Sequence, residues 1–168
     1  MTIHDPELLN AIEDLGAETL DNVTVWRHMF NDHPPELPNT RGARWNPPGL
    51  AAIYTSEERA TAIAEGQHAI DMQPLRPKTR RYVYELRISA KKALRIDRSN
   101  LSTLGLNFVD LTSPDFSACQ LVAAHAAFLD YDALIVPSAR ADGANVVIFV
   151  NELAADATFE RVGVEQIA

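Results

Sequence analysis

Between Asn31 and Gly49 the chain reads NDHPPELPNTRGARWNPPG, with five prolines and two glycines in nineteen residues. Each proline fixes its own φ, removes a backbone donor, and biases the residue before it away from the helical region. No helix and no central strand survives that spacing, so the segment must be a long irregular loop. Loops of this length in compact domains are functional or disordered. A loop that only reversed the chain would need Pro47, Pro48 and Gly49 with small polar neighbours. This one also carries Arg41, Arg44 and Trp45 and runs on to Tyr54. A guanidinium fork matches two phosphate or carboxylate oxygens at once, and Gly42 and Ala43 would let a ligand approach the backbone. The arginines could equally pair with Glu36 or an acidic helix start, and the rings could be core residues rather than a stacking shelf.

Regular structure is expected on both sides of the loop. Asp5 and Pro6 cap a helix over ELLNAIEDL that Gly16 closes, and VTVWR from Val23 is a strand ending at Arg27. Beyond the loop, LAAIYTS is a strand, and Thr55 with Glu58 forms a capping box opening a helix over residues 57–72. After the QPLRPKT linker, RRYVYELRI alternates like a half-buried strand, and KALRIDR reads as a second. A loop rich in Ser, Thr and Pro leads to DFSACQLVAAHAAFLDY, a helix apolar nearly all round and therefore buried. DALIVPSAR, NVVIFVNE and ATFERVGV complete a strand-rich C-terminal half. The sum is a single α+β domain with strands outnumbering helices.

Composition narrows the function classes. With 168 residues and 46% hydrophobic content the chain can bury a continuous core without disulfides or metal staples. Its formal charge of −8 argues against duplex binding, which needs an excess of Lys and Arg on one face. Nine of the fifteen basic residues fall between Arg76 and Arg98, and a solvated sheet edge is the simplest reading of that run. One cysteine, Cys119, reads as a small buried hydrophobe. The N-terminus lacks a basic segment followed by an apolar run, and no apolar stretch reaches bilayer length, so the expectation is a soluble cytoplasmic protein.

Several polar residues could carry chemistry. Glu65 and His68 share a helix face with Thr61. Glu-x-x-His can be half of a carboxylate-bridged metal site, but no second copy is present, and no metal is expected. A carboxylate beside an arginine-bearing loop is better placed to stabilise positive charge at an anomeric carbon. Ser117 starts the apolar helix as a plain cap or as part of a small anion site. Ser138 lies where a strand gives way to a loop, as a functional side chain or a turn serine. His125, inside the apolar helix, reads as a satisfied core histidine.

These motifs together resemble the RES-domain family, toxins of bacterial toxin–antitoxin pairs named for an arginine, a glutamate and a serine. The resemblance runs from about Val25 to Glu152, within a motif-bearing core of about residues 23–152. It is carried by Trp26-Arg27, GARWNPPGLAAIYTS, Glu65 eleven residues beyond Tyr54, DFSACQ, and VPSAR followed by Asn145 in NVVIF. The resemblance implies an ADP-ribosyltransferase-like mixed sheet with flanking helices. It also implies consumption of NAD as substrate, with no cofactor and with inorganic phosphate as acceptor. By the same likeness Glu65 is the catalytic carboxylate. Arg27 and Arg44 face the phosphates, Tyr54 packs on the nicotinamide side, and Arg41, Trp45 and Asn46 complete the substrate-binding loop with Ser138 and Asn145. Ser117 is slightly preferred to Ser138 for the family's serine. His28 stands where a close relative pattern has tyrosine. A small antitoxin, with a helix-turn-helix DNA-binding part and a tail covering the cleft, is the implied partner. Transfer of ADP-ribose to a protein, and an inactive binding-only domain, are the competing readings.

Overall fold

The computed structural model describes residues 4–74, 78–152 and 158–168. Helix α1 (Pro6–Asp14) begins on Asp5, whose side chain accepts from Glu7 N, and closes at Gly16 with φ +78°. Then follow β1 (Glu18–Phe30), β2 (Ala52–Ser56), α2 (Arg59–Asp71), β3 (Arg81–Arg95), α3 (Ser117–Phe128), β4 (Ala133–Pro137), β5 (Ala144–Phe149) and β6 (Phe159–Gln166). Short 3-10 turns lie at Ser102–Leu104, Phe108–Leu111 and Val150–Glu152.

The strands run β1-β2-β5-β4-β3, and β3 pairs back onto β1, so five of them close a barrel while β6 lies outside on β3. The β3–β4 pairing is parallel and the others are antiparallel. Alternate residues feed two cores. Ala133 and Ile135 of β4 join Val25, Leu86, Ile88 and Ile148 in one cluster, while Leu134 and Val136 join Val147, Phe149 and the α1 and α3 residues Ile12, Val122 and Ala126 in the other. Both faces of β4 are covered, which is why ALIV is continuously apolar.

The long β1–β3 ribbon corrects the sequence reading twice. RRYVYELRI and KALRIDR are one strand, and β3 has neighbours on both sides, so its basic run is not a sheet edge. Arg80, just before β3, pairs with Asp32, and on the strand Arg81 bonds His28 and Gln67 while Arg95 pairs with Glu18; Arg76 and the middle of the linker lie outside the described residues. Strand β1 extends past VTVWR at both ends because β3 templates it. Asn22, at φ +51°, is part of an irregularity between Leu20 and Val23, where its N–H bonds Ser89 Oγ. An extra residue of this kind bends the ribbon toward closure.

Two further expectations change. Thr55 does not cap α2: its hydroxyl donates to Val146 O at 2.8 Å, and the N-cap residue is Glu58, with no side-chain cap bond. Helix α3 is buried on one side only, since Leu121 and Phe128 are about half exposed. Among the described residues no helix is long and apolar enough to cross a membrane.

Candidate active site

Strands β1 and β2 pair at a single position, Trp26 with Ser56. Beyond it they diverge, and the barrel wall opens into a cleft of about 200 Å³ lined by Arg27, His28, Tyr54, Glu65, Gly66 and Asn145 among others.

Glu65 projects from α2 into this split. Ser138 Oγ–H donates to its Oε1 at 2.6 Å and Asn145 Nδ2–H donates to the same oxygen at 2.9 Å. Asn145 is itself oriented by Ser56, whose hydroxyl donates to Oδ1 at 2.8 Å. The Ser138 oxygen accepts from the backbone N–H groups of Arg140 and Ala141. Every proton in this chain points toward one carboxylate oxygen, an arrangement suited to a carboxylate anion. Glu65 Oε2 has no hydrogen bond to a described residue. Thr61, one turn earlier, is buried against Gly143, where a Cβ would come within 2.3 Å of its Oγ1.

The arginines are held differently. Arg27 Nη1 donates to Pro35 O at 2.6 Å, and burial lowers its pKa to about 10, partly offset by the nearby Glu36 charge. It is still a cation at neutral pH. Arg44 Nη1 donates to Asp110 O at 2.6 Å and Ser113 O at 2.9 Å, and its guanidinium lies 4.7 Å from the Phe116 ring centre. Burial lowers the Arg44 pKa, with the Arg140 charge acting in the same direction and the Glu65 charge against it. Among the described residues neither arginine has a salt-bridge partner, which leaves cationic groups near Glu65.

The Pro-rich loop is the frame for these groups. Asn46, fully buried, donates from Nδ2 to Leu50 O at 2.8 Å and Asn39 O at 3.2 Å and accepts the Tyr54 hydroxyl at 2.6 Å. Tyr54 in turn accepts the Trp45 N–H at 2.9 Å, and burial raises its pKa. Trp45 is 3% exposed, in the core cluster that β4 and β5 share with α1 and α3. Trp45 and Asn46 are thus internal supports rather than ligand-facing groups, a correction to the expected ring shelf. Gly42, at φ +106°, packs against Pro48, so its smallness serves the loop rather than a ligand. Arg41 is exposed and sits outside the cleft lining.

Of the two candidate serines, Ser138 touches Glu65. Ser117 is exposed at the start of α3 and donates both N–H and O–H to Asp115 Oδ1, the bonds of a helix-entry turn. His68 is not part of the cleft lining, and among the described residues no group of three His, Cys, Asp or Glu side chains gathers for a metal. His125 does read as a satisfied core histidine: Nε2 accepts from Asp5 N and Nδ1 meets Leu121 O.

Sequence reasoning missed Ser56, Gly66 and Arg140 as site residues. Gly66 lies against the His28 ring, where a Cβ would be 2.3 Å from Cγ. His28 Nε2 accepts from Arg81 Nε at 2.9 Å, and burial together with that positive neighbour lowers its pKa to about 4. Only the order of the motifs could have hinted at Ser56, since it pairs across 89 residues.

The sequence model of the RES domain matches residues 23–165, from β1 into β6. The chain belongs to the RES-domain family. A search of curated proteins found no match to this RES domain. Among solved structures it is similar to one in the M. tuberculosis MbcT–MbcA toxin–antitoxin complex. That match has a TM-score of 0.80 and 22% identity and covers 97% of this chain and 93% of the other. At that identity the match establishes the fold alone, and it agrees with the expected α+β architecture.

Proposed function

We propose that this RES-domain protein is the toxin of a toxin–antitoxin pair and that it consumes NAD in the cytoplasm. The carrying observation is Glu65, fixed through one oxygen by Ser138 and Asn145 while the other is left for a ligand beside the buried Arg27 cation. In this reading Arg27 and Arg44 hold the diphosphate, and Tyr54 walls the nicotinamide side. The bond between ribose C1″ and the pyridinium nitrogen breaks with its electron pair leaving on nicotinamide, which departs neutral. Glu65 stabilises the ribosyl cation, and an oxygen of inorganic phosphate bonds to C1″ to give ADP-ribose 1″-phosphate. An acidic overall surface is no obstacle, because the ligand feels the local field of the cleft. The likeness to a structure of a toxin–antitoxin complex supports an antitoxin partner, which we take to carry a helix-turn-helix part and to cover the cleft.

The reading is tested by expressing the chain without a partner and following growth and cellular NAD. Growth arrest with loss of NAD, relieved by Glu65→Gln, is expected. Normal growth with unchanged NAD from soluble wild-type protein would contradict it.

A further inference from the structure

Outside the cleft, the outermost strand makes two ion pairs with the elements that form the cleft walls. Glu165 of β6 meets Arg59 Nη2, at the start of the Glu65-bearing helix, at 2.7 Å. Arg161 of β6 grips Glu36 with a two-point fork: Nε to Oε1 at 2.6 Å and Nη2 to Oε2 at 2.6 Å. Glu36 directly follows Pro35, whose carbonyl holds Arg27 Nη1. The Glu36 charge also reaches Arg27 itself. Tyr84 of β3 sits between these groups, registered with Arg27 on β1 and with Val164 on β6, and Arg161 lies 5.6 Å from its ring centre.

We propose that Arg161 is a positioning residue for Arg27, acting through Glu36: the fork pins the Pro34–Leu37 segment so that the Pro35 carbonyl and the Glu36 carboxylate fix the buried guanidinium at the cleft. A bidentate fork restricts both position and orientation of its carboxylate, which a single-point lysine contact does not. Small displacements of a group that positions substrate are costly, even when the altered contact is remote. The β6 strand, otherwise exposed along nearly its whole length, then has a reason to be within the family's domain: it braces the substrate side of the cleft. This inference rests on reading the cleft as an NAD site.

The test uses the full chain and three variants: Arg161→Gln, Arg161→Lys, and the swapped pair Glu36→Arg with Arg161→Glu. Both side chains are about half exposed, so the variants are expected to fold, and thermal melting checks this. NAD affinity is measured by calorimetry in a Glu65→Gln background, and KM and kcat for nicotinamide release in the active one. Arg161→Gln should weaken NAD affinity and raise KM by roughly tenfold while kcat changes far less, as expected for lost ground-state positioning. Arg161→Lys should recover part of that loss. The swapped pair should restore the loop's ion pair but not NAD affinity, because it places a cation beside Arg27. Affinity and KM within twofold of wild type in Arg161→Gln, or full recovery by the swapped pair, would overturn the proposal. If the wild-type chain neither binds nor cleaves NAD, the functional reading fails first. The relay is then decided by NMR: altered Arg27 side-chain signals and faster Leu37 amide exchange in Arg161→Gln support it, and unchanged ones overturn it.

Discussion

The two walls of the cleft are built by different means. On the α2–β5 side, the carboxylate of Glu65 is fixed by side chains from two other segments, Ser138 and Asn145, with Ser56 behind them. On the loop side, Arg27, which lines the cleft, and Arg44, which stands outside its lining, are fixed by backbone carbonyls at Pro35, Asp110 and Ser113, so their placement depends on the path of the chain. The first wall is a polar network whose members act together. The second is a scaffold in which Asn46, Tyr54 and Trp45 set the loop and the arginines follow. Substitutions on the first wall should therefore change chemistry with little effect on folding, and those on the second should change both.

The largest effect is expected on the network wall. Glu65→Gln should lower nicotinamide release about a thousandfold without shifting the melting temperature, since it removes the charge that opposes the ribosyl cation. Ser138→Ala should cost roughly ten- to a hundredfold in kcat, because one of two donors onto Oε1 is lost. Ser117→Ala should change the rate by less than about twofold, its hydroxyl being spent on Asp115. Equal losses at the two serines would break the contrast drawn between them.

On the scaffold wall, Asn46→Ala should destabilise the fold by about 1–3 kcal/mol, by leaving the Leu50 carbonyl and the Tyr54 hydroxyl without their partner. Denaturant titration should show that loss alongside a rise in KM. Gly66→Ala, on α2 but outside the polar network around Glu65, should destabilise by about 1–3 kcal/mol, because the added methyl meets the His28 ring. The smallest effect is on pH dependence. The His28 pKa is lowered from 6.5 to about 4 in the folded chain, so the unfolded chain takes up a proton that the folded one refuses. Stability conferred by keeping His28 neutral is present above about pH 6.5 and falls away as pH drops toward 4. His28→Gln should flatten the wild-type decline in melting temperature across that window, measured against an unaltered control slope above pH 7.

Much of this site was legible in the sequence, but unevenly. The Pro-rich loop, the strand into Tyr54, the helix bearing Glu65 and the C-terminal strands follow from local chemistry that tertiary structure had no reason to override. The roles of the loop residues were harder. Trp45 and Asn46 look like ligand contacts by residue type, yet Asn46 satisfies loop carbonyls that only the folded path brings together. Thr55 and Glu58 have capping-box spacing, but a strand that continues through Ser56 spends the threonine on Val146. Ser138 and Ser117 could not be separated, because the bond to Glu65 spans 73 residues. The single long β3 was hidden because the Ser89–Lys91 stretch lacks the strand pattern and is held extended by pairing with β1.

The central claim is that the Glu65 cleft cleaves NAD at the nicotinamide bond with phosphate as acceptor. Its most direct test is to incubate the purified chain with NAD, with and without inorganic phosphate, and follow nicotinamide and the sugar product by chromatography and mass spectrometry. The account predicts phosphate-dependent nicotinamide release with a phosphorylated ADP-ribose product, lowered about a thousandfold in Glu65→Gln. Release independent of phosphate would replace phosphorolysis with hydrolysis or transfer to a protein, and no release from folded, partner-free protein would contradict the enzymatic reading of the cleft.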